Sequence, residues 1–373
     1  MLKCVITHRR NSLELKKTPL FECCEKSGGR FVDFHGWYLP VQFEGIIVEH
    51  LHVRSHAGIF DCSHMGEFLI HGRDKISYFS FLTCGDFMPL PVGKCRYTAI
   101  LNKDGSVLDD CVGMKLDEET LFVVTNAGPL EEVSSLLCPS DVQAEDITQQ
   151  IVKIDVQGPR SLDVLLQSGF DSQIAGLKYW TGGRFEWRGE KIIITRAGYT
   201  GELGYELYLP VSIGADIWVK LVSHAEVKPC GLGARDTLRT EMGYPLNGQD
   251  ILPGTTPLMA SMDRFIDWEH DFIGKDLLLQ QKNRGDYRVL TGIKTHTRQA
   301  PRHNQKIVFQ DSEVGEVTSG TYGPSVGVGV GLAMLDKKVA IPGTFLQIAG
   351  RPLQVEVCNV PIYQNGTARK KVL

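Results

Sequence analysis

Two neighbouring carboxylates, Asp109 and Asp110, lie within VLDDCVGMKL (107–116), a run with strand composition, where acids are normally depleted. Side chains alternate faces along a strand, so Asp110 groups with Leu108, Val112 and Met114, and Asp109 with Val107, Cys111, Gly113 and Lys115. Asp110 is therefore expected on the more apolar face. An unpartnered carboxylate there is costly and has its pKa raised, which suits acid–base chemistry. A structural Asp satisfied by hydrogen bonds fits the same pattern, and the residues alone leave both readings open.

Two further polar residues gain meaning beside such an acid. Glu206 follows a Gly-punctuated loop, YTGELG (199–204), and Arg235 opens a helical stretch in GLGARD (231–236). Each alone reads as a solvated charge. With a buried acid they would suit a ligand that has an amidine-like donor edge and a carboxylate tail, because Glu accepts paired N–H donors and Arg grips oxygen acceptors.

Other spacings invite chemistry and do not sustain it. His52 and His56 stand four apart, with Glu49 one turn before His52, but no HExxH pattern or downstream ligand set completes a site, so no metal is expected. In Asp61-Cys62-Ser63-His64, neighbours on a strand or turn seldom face each other, which argues against a Cys–His nucleophile. Gly323-Pro-Ser325-Val-Gly327 matches GxSxG literally, yet the following VGVGLAML alternates like a strand, whereas a nucleophile elbow needs a helix there. The same glycines do not form a dinucleotide-binding GxGxxG between strand and helix.

The elements that must position these residues are short strands, turns and three helices. Leu101–Leu108 places Asp104-Gly105 between two strand-like runs, a strong hairpin signal, and the next strand meets TLFVVTN (120–126) to make a small meander. RFEWRGEKIIITRAG (184–198) reads as another hairpin, followed by the strand YELYL (205–209). A helix over 43–57 would use Ile46, Ile47, Leu51 and Val53 as its apolar stripe. A second, over 212–224, would start from a Ser cap and bury Ile213, Ile217, Trp218 and Leu221. A third would run from about Ala234 to Met242 and end at Gly243. From about 287 onward, strand patterns without helical period predict an all-β domain.

Length and composition bound the class. A chain of 373 residues exceeds what one core usually organises, and 42% hydrophobic with 23% charged residues is ordinary for globular proteins. The formal net charge of -4 supplies no positive field for a polyphosphate, so no nucleic-acid partner is expected. No apolar run approaches the roughly 18 residues of a membrane span, so no membrane partner is expected either. Ten cysteines without a CxxC pair read as reduced, mostly buried thiols. Residues 1–17 are basic and lack the apolar centre of a secretory signal, which fits either a short mitochondrial presequence or an untargeted basic arm.

Several longer motifs occur in order along the chain: TPLFECCEKSGGRFVDFHGWYLPVQF (18–43), GIFDCSHMGEF (58–68), LNKDGSVLDD (101–110), VVTNAG (123–128), VQGP (156–159), RAGYTGELGYEL (196–207), GLGARDTLRTEMGYPLNGQD (231–250), DFIGKD (271–276) and EVTSG (316–320). Through them the chain resembles, from about Thr18 to its end, the aminomethyltransferase (T-protein) family of the glycine cleavage system. The resemblance implies an α+β fold with three domains in a cloverleaf around a central folate funnel. It places domain 1 at 18–60 and 150–250, domain 2 at 61–149 and 251–286, and a mainly antiparallel β domain at 287–373.

The activity so implied moves the one-carbon unit of aminomethyl-dihydrolipoyl H-protein to tetrahydrofolate with release of ammonia. Lipoylated H-protein is then the transient protein partner, tetrahydrofolate the co-substrate, and the mitochondrial matrix, otherwise the cytoplasm, the expected location. By motif position, Asp110 resembles the family's essential carboxylate beside folate N10, and Glu206 the acid that takes the amino-pyrimidine edge of the pterin. Arg235, Asn126, Tyr199 and Met65 resemble further pocket residues. The chain departs from the family pattern at Leu203, where an acid is usual, at Cys62 for Val, at Ser106 for Gly, and at Arg264, where a Trp is common. The same resemblance admits relatives with another one-carbon donor, as in the folate domains of dimethylglycine or sarcosine oxidising enzymes, and a non-catalytic folate-binding or iron–sulfur-assembly relative.

Overall fold

A computed structural model describes residues 14–138 and 144–370. Residues 1–13 of the basic segment therefore lie outside the described residues. Its end does not: Lys16 donates its N–H to Gly36 O at 2.9 Å and accepts from Tyr38 N at 2.8 Å, on the hairpin of Arg30–Phe34 and Trp37–Gln42.

Three larger sheets form the body. A six-stranded sheet runs, edge to edge, Thr181–Trp187, Glu190–Arg196, Gly204–Pro210, Ile151–Gln157, Ala57–Asp61 and Val227–Pro229. A five-stranded sheet runs Cys95–Leu101, Val107–Asp117, Thr120–Thr125, Gly66–His71 and Ala144–Asp146. From Arg288 to Cys358 six strands form an antiparallel barrel, closed where Arg288–Lys294 pairs with Gln354–Cys358. The fold is thus mixed α+β with a β C-terminal part, as expected.

The turns behave as their residues dictate. Gly105 has φ +79°, and the Asp104 carboxylate accepts from the N–H and hydroxyl of Ser106 at 2.9 and 2.6 Å, which locks the hairpin. The helix Leu232–Met242 ends on Gly243 at φ +71°, a left-handed cap. The helix Val211–Val222 buries Ile217, Trp218 and Leu221, with Ile213 packed beside them. Ser212 does not cap it. The preceding strand leads directly into the helix, and Pro210, with φ −51°, occupies the cap position.

The helix Ile46–Ser55 keeps only part of its expected stripe, with Val53 buried and Ile46 half-buried. Ile47, Val48 and Leu51 are exposed at 48%, 49% and 45%, while Glu49, His50 and Val53 are fully buried. The cause is polar and long-range. Glu49 accepts the N–H groups of Phe43, Glu44, Gly45 and Gly231 at 2.7–3.0 Å, so one carboxylate ties this helix start to the approach of the Leu232–Met242 helix. His50 lies 2.8 Å from Thr237 Oγ1 and 2.7 Å from Ser325 Oγ.

Candidate active site

A cavity of about 2510 Å³ is lined from all three sheets and from the loops between them. Met65, Asp110, Asn126, Tyr199, Glu206 and Arg235 all line it. They fall into two polar clusters on two different sheets, with Met65 as apolar packing between the Val124–Tyr208 and Val53–Phe60 cores.

The first cluster grows from the strand Val107–Asp117. Its pleat puts Asp109 in the protein interior, fully buried, and Asp110 on the half-buried face that lines the cavity with Leu108 and Val112. The face that Asp110 shares with Leu108 and Val112 is apolar, as expected, but it is Asp109 that is fully buried. Leu108 and Val112 are partly buried and pack against cores from the cavity side, whereas Val107 and Cys111 are fully buried members of the cores.

Hydrogen bonds hold both acids. Tyr97 donates its hydroxyl to Asp110 Oδ2 at 2.8 Å, and the Asn126 amide lies 2.9 Å from Asp110 Oδ1 and 2.8 Å from Asp109 Oδ1. Asn126 N–H and the Asn247 amide also donate to Asp109, each at 2.9 Å. Burial pushes Asp109 well above the usual carboxylate range, and the adjacent charge of Asp110 adds to this. Burial raises Asp110 too, opposed by the donors Tyr97, Asn247 and Asn126. Two acids so close disfavour double ionisation, so the pair holds a proton more readily than free carboxylates do, which suits acid–base chemistry.

The second cluster is an alternating chain of charges, with Lys153, Asp155 and Glu206 on the six-stranded sheet and Arg235 reaching it from the helix Leu232–Met242. Arg235 donates to Asp155 Oδ2 at 2.8 Å, Lys153 Nζ donates to Asp155 Oδ1 at 2.7 Å, and the same Nζ lies 3.3 Å from Glu206 Oε1. Glu206 Oε2 takes hydroxyl hydrogens from Thr195 and Tyr208, each at 2.9 Å. Burial alone would raise Asp155, but Lys153 and Arg235 outweigh it and hold the carboxyl below its usual range. For Lys153 burial opposes the charge, and Asp155 and Glu206 reverse this and keep it a cation. The Arg235 guanidinium also covers the Tyr199 ring at 4.9 Å, while the Tyr199 hydroxyl donates to Pro245 O.

Tyr97, Lys153, Asp155 and Asn247 belong to these clusters and were not singled out above. Lys153, Asp155 and Gln157 alternate along IVKIDVQ, so three polar side chains share one face of an otherwise apolar strand. The alternation argument used for Asp110 would have found them. Tyr97 left no such mark. It meets Asp110 diagonally, because Ala99 is the residue paired with Asp110 and Tyr97 pairs with Val112.

The rejected constellations have structural uses. His52 and His56 stack at 4.7 Å, His52 Nε2 lies 3.0 Å from Glu226 O, and Glu49 is spent on backbone N–H groups. Among the described residues no three His, Cys, Asp or Glu converge as metal ligands. Burial pushes the Cys62 thiol up to about 12 and His64 down to about 3, the reverse of a thiolate–imidazolium pair. Ser325 stands in a turn between the strands Ser312–Gly323 and Val328–Asp336, not before a helix.

Residues 20–270 match the GCVT N-terminal domain family, and residues 288–364 match the glycine cleavage T-protein C-terminal barrel domain. The chain is 36% identical to the aminomethyltransferase of Thermoanaerobacter sp. (strain X514) over 361 residues, 94% of this chain and 98% of the relative. It is 36% identical to that of Bacillus subtilis (strain 168), with 94% and 99% covered. A crystal structure of the glycine cleavage system aminomethyltransferase T from Bartonella henselae superposes with a TM-score of 0.88 at 32% identity, over 95% of this chain and 99% of the other. These relatives are bacterial and lend the mitochondrial expectation no support. No helix of the described residues is long and apolar enough to cross a membrane. With matches over both parts of the chain and nearly its full length, the protein belongs to the glycine cleavage T-protein (aminomethyltransferase) family.

Proposed function

We propose that this aminomethyltransferase takes its one-carbon unit from the aminomethyl-dihydrolipoyl arm of an H-protein and passes it to tetrahydrofolate. The observation that carries this reading is that two clusters reach one cavity: a hydrogen-bonded acid pair, Asp109–Asp110, through Asp110, and a charge chain, Glu206–Lys153–Asp155–Arg235, through Glu206, Lys153 and Arg235. In the balanced reaction the methylene carbon gains bonds to N5 and N10 of the folate and loses its bonds to sulfur and to the amine. The two folate N–H protons leave with the dihydrolipoyl thiol and with ammonia.

Asp110 is the group suited to those protons, because it is the member of the acid pair that lines the cavity and burial raises its pKa above the ordinary carboxylate value. Glu206 and Arg235 orient the pterin, Tyr199 and Met65 pack against it, and Asn126 fixes the acid pair. Holding two carriers in register supplies much of the rate, since the reaction becomes effectively intramolecular. The discontinuous division of the chain, 18–60 with 150–250 and 61–149 with 251–286, is part of the same reading. It is supported by one core that joins Leu20 to Val227 and another that joins Cys84–Val107 to Ile251–Leu278.

The test is tetrahydrofolate-dependent release of ammonia and formation of methylenetetrahydrofolate from aminomethylated H-protein, for the native chain, Asp110→Asn and Asp109→Asn. Loss of turnover by about a hundredfold or more in Asp110→Asn, with a smaller loss in Asp109→Asn, is expected. A well-folded native protein that binds folate and releases no ammonia would turn the assignment to a non-catalytic folate-binding relative.

A further inference from the structure

Lys153 is an unusual residue for a cavity wall. Its side chain is only 1% exposed, yet it lines the cavity beside Glu206, which is itself 13% exposed. An ammonium carries three donors and no acceptor. Among the described residues two of these are used, on Asp155 Oδ1 at 2.7 Å and on Glu206 Oε1 at 3.3 Å. The third N–H has no hydrogen-bond partner among them. Glu206 shows the complementary vacancy. A carboxylate offers about four lone-pair sites. Thr195 and Tyr208 fill the two at Oε2, and Lys153 takes one at Oε1, which leaves one acceptor site at Oε1.

A spare acceptor thus stands beside a spare donor, with their heavy atoms 3.3 Å apart. The chemical group complementary to this pair is a cyclic amide edge, –NH–C(=O)–, whose N–H meets Glu206 and whose carbonyl meets Lys153. From this geometry we infer that Lys153 is a specificity-determining residue, which selects pteridines having an oxo group at C4 over those having an amino group there. The inference rests on the folate reading above and narrows it to one edge of the ring. A 4-amino pteridine reverses the pattern: its N3 carries no hydrogen for Glu206, and its exocyclic amine turns donors toward the ammonium. Buried polar groups left facing the wrong partner are the strongest basis for discrimination between near-isosteric ligands.

The pairing also accounts for the rest of the chain of charges. Asp155 bonds both Lys153 and Arg235, so the ammonium is anchored from behind and its direction is set before a ligand arrives. Asp155 is a positioning residue in this scheme and does not itself line the cavity.

The experiment compares equilibrium binding of tetrahydrofolate and 4-amino-4-deoxytetrahydrofolate, which differ at this edge alone, to the full chain and to Lys153→Met under anaerobic conditions. The wild-type chain should bind the 4-oxo compound at least about a hundredfold tighter. Lys153→Met should bring the ratio to within about tenfold, because the ammonium that rejects the amine is gone. A purely structural role for Lys153 would weaken both ligands together and leave the ratio unchanged, and that result would overturn the inference. Equal binding of the two compounds by the wild-type chain would overturn it without recourse to the variant. Binding of neither would remove the folate reading and this inference together.

Discussion

The hydroxyl of Tyr97 donates to Asp110 Oδ2 at 2.8 Å, and the Tyr97 ring stands edge-on to Phe265 at 4.9 Å between centroids. The acid pair is therefore connected to the 263–265 segment, which belongs to a distant part of the chain. The Tyr97 hydrogen bond favours ionised Asp110, so its removal lets burial raise the carboxyl further. Tyr97→Phe should shift the acidic limb of the kcat/KM profile to higher pH and lower kcat about tenfold at neutral pH. A profile that keeps its acidic limb in place would show that Tyr97 does not tune this acid.

Arg264 lines the cavity, and its guanidinium lies over the Phe265 ring at 4.6 Å. Among the described residues it hydrogen-bonds neither acid, so its influence belongs to binding and not to proton transfer. Arg264→Ala should raise the KM for tetrahydrofolate about tenfold, with kcat within about twofold, as expected when uniform binding is lost. The attraction of an exposed cation for the carboxylate tail should also weaken with salt, so the difference between variant and wild type should narrow at high ionic strength. A drop in kcat instead would mean that Arg264 acts through Phe265 and Tyr97 on Asp110.

Gly105 and Gly274 meet backbone to backbone. A Cβ on Gly274 would lie 2.6 Å from Gly105 Cα, and Gly274 has φ +78°. The hairpin that leads to the acid pair is thus docked on the start of the helix Lys275–Arg284 by two residues without side chains. Gly274→Ala should cost about 2 kcal/mol or more, since strain at positive φ and an unyielding backbone contact act together. Thermal unfolding measures this directly. Gly254→Ala, with φ +85° and open space around it, isolates the conformational part and should cost about 1 kcal/mol.

How much of this was legible in the sequence depends on the range over which each feature is decided. The Asp104-Gly105 hairpin and the Gly243 helix stop are decided by a few residues, and they stand where local chemistry put them. The helix Ile46–Ser55 was misread because its inward face is chosen by Glu49 meeting Gly231 and by His50 meeting Thr237 and Ser325, partners about two hundred residues away and more. Alternation singles out Asp110 by its apolar face, but the pattern of one strand cannot say whether such a face borders a core or a cavity. Lys153 and Asp155 were visible by the same alternation. What made them part of the site, the crossing of Glu206 from the neighbouring strand, was not.

Glu241 is fully buried and joins three elements. Its Oε2 receives Arg54 at 2.8 Å and lies 3.3 Å from His50 Nε2, and its Oε1 accepts Ser325 N–H at 2.7 Å from the barrel. Burial would raise its pKa, but His50 and Arg54 outweigh burial and hold it near about 2, against an ordinary value of 4.5. A carboxyl depressed on folding contributes stability that is present above its unfolded pKa and is lost as pH falls toward the folded value. The contribution should therefore be complete above about pH 5 and fade between there and about pH 2. Glu241→Gln keeps the shape, leaves Arg54 with Glu202 as its one buried anion among the described residues, and should cost about 3 kcal/mol at pH 7. It should cost much less at pH 3, so the two unfolding curves, measured by urea at each pH, should converge on acidification. A difference that is constant from pH 7 to pH 3 would place the effect of Glu241 in its Ser325 hydrogen bond instead of its charge.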